Sequence, residues 1–461
     1  MKDRKLETLV EGVQGVALSA DGQKALVRAG GGWAVYDSKP KGKDSKQAVS
    51  TKGLESNVIP KEEWETIFDE VWRRYRDFFY VENMHGNDWV ALREQYRPWL
   101  KDVAHRWDLN YVIGEMISEL SVGHAYILGG DYDIPDRPHV ALPGAELELD
   151  QASGRYKIKT ILRGQNEEDD YRAPLTEIGV DAREGDFLLA IDGEPLRAPD
   201  NPYRLLRFKA DRPVTFTLAS SADGQDERQV QFKPVSDESS LRYLGWVTEN
   251  RRKVDEATNG EVGYLHIPDM GAQGIYEWIK YFYPQMRKKG LVIDVRGNGG
   301  GNVSQMILAR LQRKLLGTRF SRNDEHATTY PETVFYGHLV CLISENSASD
   351  GDIFPARFQK AGLGPLIGKR TWGGVIGITN RGPLLDGGSV FVPEFATNDV
   401  DGSYIIENKG VSPDIEVDND PASVIAGRDP QLERGIAEVT KAIREHPMEL
   451  PKRPADPVKT R

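Results

Sequence analysis

Two short apolar runs constrain this chain more than any other feature. Leu339-Val340-Cys341-Leu342-Ile343 has no polar residue, and Leu291-Val292-Ile293-Asp294-Val295 has only Asp294. Such runs do not alternate as a half-exposed strand does, and they fit strands covered on both faces. Each leads into a segment of helical character, predicted over 303–316 and over 350–361. Upstream, Gly263-Tyr264-Leu265-His266-Ile267 predicts a further strand, and Tyr276, Ile279 and Phe282 mark a helix over 272–288. Strand and helix therefore alternate through 238–430, the pattern of a largely parallel sheet with helices on its faces.

The rest of the chain is patterned differently. With 461 residues it has room for about three domains. Residues 1–38 alternate apolar and polar positions, with turns at Ala20-Asp21-Gly22 and Gly30-Gly31-Gly32, and predict a short meander of strands. Residues 39–52, Lys-rich with Gly and Ser, read as a linker. Over 61–122 the period becomes helical: Trp64, Ile67, Phe68, Val71, Trp72 and Tyr75 form one stripe, and a further helix is predicted from Asn110-Tyr111 to near Leu120. Residues 140–235 return to strands, with an apolar run entering the tight turn Asp192-Gly193, a helix suggested at Pro202–Leu206, and a strand at Pro213–Leu218. There is no internal repeat.

Composition excludes several classes. The net charge of -11 argues against nucleic acid, whose phosphates are held by Lys and Arg. The single cysteine, Cys341, allows no intrachain disulfide and reads as a small buried hydrophobe. No stretch approaches the ~20 apolar residues of a membrane span. Met1-Lys2-Asp3-Arg4-Lys5 is charged with no apolar region behind it. The expectation is a cytoplasmic protein.

Open α/β sheets place their sites at the carboxyl ends of strands, and two such ends stand out. Asp294-Val295-Arg296-Gly297-Asn298-Gly299-Gly300-Gly301 lets backbone amides approach a ligand closely. It lacks the lysine of a phosphate loop, but free amides aimed at negative charge are what an oxyanion hole requires. Ser347-Ala348-Ser349-Asp350-Gly351 sets a serine between a strand and a helix. By itself Ser349 is equally an N-cap. As a nucleophile it needs a base. Of the eight histidines, His85, His105, His139 and His446 lie in polar settings, His326 and His338 flank a loop, and His266 is in a strand. His124 follows a predicted helix, in Leu120-Ser121-Val122-Gly123-His124-Ala125-Tyr126.

Several of these segments carry a resemblance. Gly179–Leu196 with its flanking strands resembles a PDZ domain. Ala348-Ser349-Asp350-Gly351-Asp352-Ile353-Phe354 and Leu366-Ile367-Gly368-Lys369-Arg370-Thr371-Trp372-Gly373-Gly374-Val375 resemble the nucleophile segment and the following stretch of the tricorn core proteases, relatives of the carboxy-terminal-processing serine peptidases. The resemblance covers nearly the whole chain, in the same order. It implies a multidomain α+β fold. Residues 1–50 would be the end of a β-propeller and a linker, 51–138 a helical domain carrying the histidine, 139–237 the PDZ domain, and 238–461 an α/β catalytic domain of the ClpP/crotonase-like type.

The resemblance also implies roles: Ser349 as nucleophile, His124 as general base, Glu407 in Ile405-Ile406-Glu407-Asn408 as the acid orienting the histidine, and the Gly301 and Asp350 amides as the oxyanion hole. It implies peptide substrates, no cofactor, no metal, and a homo-oligomer, hexameric in that family. The chain would be the carboxy-terminal piece of a longer protein. Two departures from the family's pattern matter, besides one difference from its bacterial relatives. The family's bridging serine before the histidine is Gly123 here, so contact from Glu407 to His124 would be direct or through water. The family's acid after the glycine-loop helix, which selects basic residues, is missing from Gly317-Thr318-Arg319-Phe320. The lysine base of the bacterial processing peptidases is Gly374, and Lys369 lies five residues early. The alternative is a catalytically weak peptide-binding module.

Overall fold

Alternation at the amino end folds as an antiparallel meander: β1 (Val13–Leu18), β2 (Lys24–Ala29), β3 (Gly32–Asp37) and β4 (Gln47–Val49), paired in that order. The computed structural model describes residues 7–55, 57–132, 134–135, 137–324 and 327–460. His326 and Met1–Lys5 lie outside the described residues. The expected linker thus contains a strand. Gln47–Val49 pairs with Trp33–Val35, and the surrounding lysines had hidden it. One face of the meander buries Ala25, Val27, Ala34 and Tyr36. Val16 and Leu18 of β1 stay exposed, at 65% and 64%. Residues 1–63 form one unit and 64–461 a second.

The second unit has three layers. In the first, α1 (Pro60–Phe78) buries Ile67, Phe68, Val71 and Tyr75, a stripe of helical spacing. Next come α2 (Trp89–Tyr96), capped by Asp88, and α3 (Arg106–Ser118). The last helix starts at Arg106 rather than Asn110, because His105 and Asp108 form a reciprocal capping box. It leads through Ser121–His124 into β5 (Tyr126–Leu128).

The second layer is a six-stranded sheet of β6 (Ala145–Asp150), β7 (Arg155–Ile161), β8 (Phe187–Ile191), β9 (Glu194–Pro195), β10 (Val214–Ala219) and β11 (Arg228–Phe232). The Asp192-Gly193 turn joins β8 to β9, both residues at positive φ. Pro202–Leu206 is a single 3-10 helix.

The third layer runs α4 (Ser239–Ala257), β12 (Val262–His266), α5 (Ala272–Phe282), β13 (Gly290–Asp294), α6 (Ser304–Leu311), β14 (Gly317–Arg319), β15 (Thr328–Tyr330), β16 (His338–Ile343), α7 (Asp350–Lys360) and β17 (Leu366–Gly368). It continues with β18 (Gly377–Pro383), β19 (Ser389–Phe395), β20 (Ile415–Glu416), α8 (Pro421–Ile425) and α9 (Pro430–Glu445). α5 ends early because Pro284 starts a 3-10 turn, and α6 ends before Leu316 as the chain turns into the β14–β15 hairpin.

β12, β13, β16, β17 and β20 pair in parallel and in chain order. Crossovers of one hand stepping one way put every crossover helix on the same face. Accordingly Leu265, Leu291, Ile293, Cys341 and Ile343 face α5, α6 and α7, while Tyr264, Val292, Val340 and Leu342 face α4 and α9. The apolar runs are buried on both faces, as their composition predicts.

Layers one and three share a core. β18 and β19 form a three-stranded antiparallel sheet with β5. Ile376, Leu384, Val390 and Val392 pack among the side chains of α1–α3. Arg106, fully buried, pairs there with Asp386 from the β18–β19 turn. The six-stranded layer is held to α5: the Tyr171 hydroxyl donates to buried Glu277 at 2.7 Å, and Lys280 pairs with Glu168 at 2.6 Å. Among the described residues no helix is long and apolar enough to cross a membrane.

Candidate active site

The ends of β13 and β16 meet around Ser349. At the first end the charges are spent structurally. Arg296 pairs with Asp294 at 2.7 Å and with Asp429 at 2.9 Å, and buried Asp294 also accepts the Tyr264 hydroxyl at 2.9 Å. What remains free is the glycine loop, stitched in place by buried Asn298. Its Nδ2 donates to the Ile267 carbonyl (2.9 Å), its Oδ1 accepts the Gly300 N–H (2.9 Å), and its carbonyl accepts the Ala348 N–H (2.9 Å). The loop is threaded by Met270, whose N–H donates to the Gly300 carbonyl at 2.8 Å and whose carbonyl accepts the Asn302 N–H at 2.8 Å. A methyl group at Gly300 would sit 2.5 Å from Cβ of Ser349, so only glycine permits this approach.

Ser349 stands at the N-cap of α7 with φ 60°, a conformation that costs a non-glycine residue roughly 1–3 kcal/mol. Its hydroxyl does not cap the helix. The neighbours hold the turn instead. Ser347 Oγ donates to the Val295 carbonyl at 2.8 Å, and the Asp350 carboxylate accepts from the N–H and hydroxyl of Ser304 at the start of α6. Gly300 spends its amide on Asn298, whereas the N–H groups of Gly301 and Asp350 donate to no group among the described residues.

Three loops close over this point. His124, half-buried, has Nδ1 3.0 Å from the Ile376 carbonyl. A carbonyl only accepts, so Nδ1 carries the hydrogen and Nε2 is the basic nitrogen. The ring stands edge-on to Trp372, 5.5 Å between centroids. Trp372 N–H in turn donates to the Ser347 carbonyl at 3.0 Å. Among the described residues Ser349 Oγ and His124 make no hydrogen bond to each other, and apo catalytic contacts are commonly long.

Of the two expected routes from Glu407 to His124, direct or through water, no direct hydrogen bond is formed among the described residues. One carboxylate oxygen accepts the Gly123 N–H (3.2 Å), and the other accepts the N–H groups of Val375 (2.7 Å) and Ile376 (3.0 Å). Without a side chain at 123 to engage it, the carboxylate is taken up by backbone amides. It is linked to His124 through the Gly123 N–H, on the residue before the histidine, and through Ile376, whose N–H it holds and whose carbonyl holds Nδ1. Glu407 sits between Ile406 (φ 44°) and Asn408 (φ 58°), and Asn408 Nδ2 donates to the Ser121 carbonyl at 2.7 Å. The Trp372 ring fills the space beside both glycines. A methyl at Gly123 would come within 3.2 Å of it, and one at Gly374 within 2.2 Å. A side chain at 374 would therefore require the Trp372 ring to move.

The remaining sequence candidates lie elsewhere. Lys369 pairs with Glu416 at 2.8 Å on the sheet edge. His266 is a core residue between the Tyr243 hydroxyl and the Arg296 carbonyl, with burial pushing its pKa down. Burial pushes the Cys341 thiol well up. His85, His105, His139 and His446 are exposed. Sequence reasoning missed Asn298, Asp352 and Trp372. Asn298 inside a glycine run was the one readable signal among them.

Comparison with known proteins follows the same layers. Residues 60–118 match the tricorn protease C1 domain, 142–237 the tricorn protease PDZ domain, and 261–417 peptidase family S41. The chain is 36% identical to tricorn protease homolog 1 of Streptomyces coelicolor over 94% of its length, covering 41% of that protein. It is 34% identical to the tricorn protease of Thermoplasma acidophilum over 99% of its length, covering 42% of it. A crystal structure of the tricorn protease superposes with a TM-score of 0.90 at 33% identity, over 96% of this chain and 43% of that one. The chain thus spans about two fifths of the length of these relatives.

Proposed function

Because this chain belongs to the tricorn protease family, we propose that it is a serine peptidase that cleaves peptides or unfolded polypeptides at Ser349. The observation that carries this is the strained Ser349, its hydroxyl uncommitted between two amides that bond nothing else. Ser349 Oγ attacks the scissile carbonyl carbon while His124 Nε2 takes its proton. The tetrahedral oxyanion is held by the Gly301 and Asp350 amides. His124 then passes the proton to the leaving amine, the C–N bond breaks, and an acyl-enzyme remains. Water, deprotonated by His124, releases the product acid and restores the serine. Glu407 holds the Ile376 peptide that fixes the histidine tautomer. No step uses a metal or cofactor.

The four-part division at 1–50, 51–138, 139–237 and 238–461 belongs to the same proposal. Exposed Val16 and Leu18 on β1 support reading the first part as the end of a β-propeller, since such strands pack against a neighbouring sheet. The single-handed parallel sheet supports a ClpP/crotonase-like catalytic domain. The PDZ layer, tied to α5 through Tyr171 and Glu277, would present extended peptides by strand addition. A cytoplasmic homo-oligomer, hexameric as in the family resemblance, without nucleic-acid or membrane partners, completes the proposal. One observation favours the alternative of a catalytically weak peptide-binding module: Ser349 and His124 share no hydrogen bond. A fluorophosphonate decides between them. Mass spectrometry is expected to find the adduct on Ser349 at neutral pH, and a folded chain that stays unlabelled refutes the peptidase reading.

A further inference from the structure

Asp352 is a buried carboxyl that the hydrolytic scheme leaves without a task. It lies in the first turn of α7, beyond Ser349, and is wholly buried. Its N–H donates to the Ser349 carbonyl at 2.8 Å. Oδ1 accepts the Gly373 N–H at 2.7 Å, while Oδ2 is buried and accepts no hydrogen bond among the described residues. A bare buried carboxyl oxygen is costly and calls for an explanation. The grip on Gly373 supplies one. With the Trp372 N–H on the Ser347 carbonyl, it fastens the 371–376 loop on both sides of Ser349. That loop carries the Trp372 ring that abuts His124 and the Ile376 carbonyl that binds Nδ1.

Resting on the assignment of Ser349 and His124 above, we propose that Asp352 is a positioning residue whose carboxylate, through the Gly373 amide, holds the 371–376 loop and His124 in register with the amino end of α7. A carboxylate is a stronger acceptor than a neutral acid, so protonating Asp352 slackens the loop. Desolvation pushes its pKa up to about 6. The Gly373 amide on Oδ1 pulls it down, and the charge of Glu407 raises it further. Around it, Asp350 of α7 is taken up by Ser304, Arg370 turns to the carbonyls of Thr371 and Lys409, and His124 faces Ile376. Glu407 is the charge it meets from the 405–411 loop.

The test is the pH profile of the whole chain on a fluorogenic peptide, with Asp352→Asn and Asp352→Ala. In the parent chain the acid limb of kcat/KM is expected to be steeper than in Asp352→Asn, because Asp352 adds its own titration to it. Asp352→Asn keeps an acceptor for Gly373, so its limb should lose the contribution of Asp352 and become shallower, with activity at about pH 8 within roughly tenfold of the parent. Asp352→Ala should lose about 10- to 100-fold in kcat with KM little changed. A second readout is stability. The folded pKa lies above the ordinary value, so the folded chain binds more protons than the unfolded one between about pH 4 and about 6. Stability therefore falls as pH rises through that window, and the Asn variant should lack this fall. An acid limb in Asp352→Asn as steep as the parent's, or parental kcat in folded Asp352→Ala, overturns the role. If Asp352→Ala fails to fold, the Asn limb decides. Hydrolysis surviving Ser349→Ala overturns the nucleophile and this role together. Ser349→Ala inactive with an unchanged Asn limb overturns this role alone.

Discussion

His124→Ala is expected to lower kcat/KM by about 10⁴- to 10⁶-fold, with KM little changed. The size follows from the roles. The two lysine positions weighed from the sequence offer no substitute, since 374 is a glycine beside the Trp372 ring and Lys369 is committed to Glu416. Nucleophile and base act as a unit, so Ser349→Ala should cost a similar amount, and the double variant little more than either. The residue of activity would come from the Gly301 and Asp350 amides, which neither substitution touches. Steady-state kinetics on one peptide across the three variants checks this. A loss below tenfold in His124→Ala, with fold intact by circular dichroism, would mean that the base is another group.

Glu407→Ala is expected to lower kcat by about 10³- to 10⁴-fold, close to the cost of removing the acid of a serine triad. Here the route differs, because the carboxylate touches no part of the imidazole. Its removal orphans the amides of Gly123, Val375 and Ile376. Those amides join the segment bearing His124 to the segment bearing its carbonyl partner, so the ring loses orientation rather than charge support. Glu407→Gln should be nearly as damaging, because its amide nitrogen donates and must face at least one backbone N–H. In a charge-relay arrangement Gln would keep the geometry and lose only the charge. Single-turnover rates for both variants, with His124 orientation followed by imidazole NMR, separate these cases. A Gln variant with kcat within tenfold of the parent would refute the clamp.

These residues also mark how far the sequence was legible. The parallel sheet was readable because its strands are apolar on both faces, and burial alone dictates that composition. β4 was hidden because three paired residues amid lysines carry no period. The start of α3 was hidden by a capping box with histidine as the cap. Ser349 looked like any N-cap, because what sets it apart is a backbone dihedral and a hydroxyl left unused. Glu407 was legible only by resemblance. It holds Gly123 across 284 residues, and its partners are amides, which every residue possesses. Asp352 reads as an ordinary first-turn acid until the Trp372–Gly373 loop is laid over it.

The shared core of the helical layer has a consequence for synthesis. Ile376, Leu384, Val390 and Val392 fill the space among α1–α3, so a ribosome must finish β19 before the layer that carries the histidine can close. The turn of Ser349 emerges before β19, while the layer bearing the already synthesised His124 is still open. On the proposed roles, the order of translation keeps the Ser349 turn apart from a positioned base until β19 has emerged. A chain stopped after residue 376 is expected to be nicked within 64–122 by added trypsin under conditions that spare the full chain, and equal resistance of the two would remove the argument.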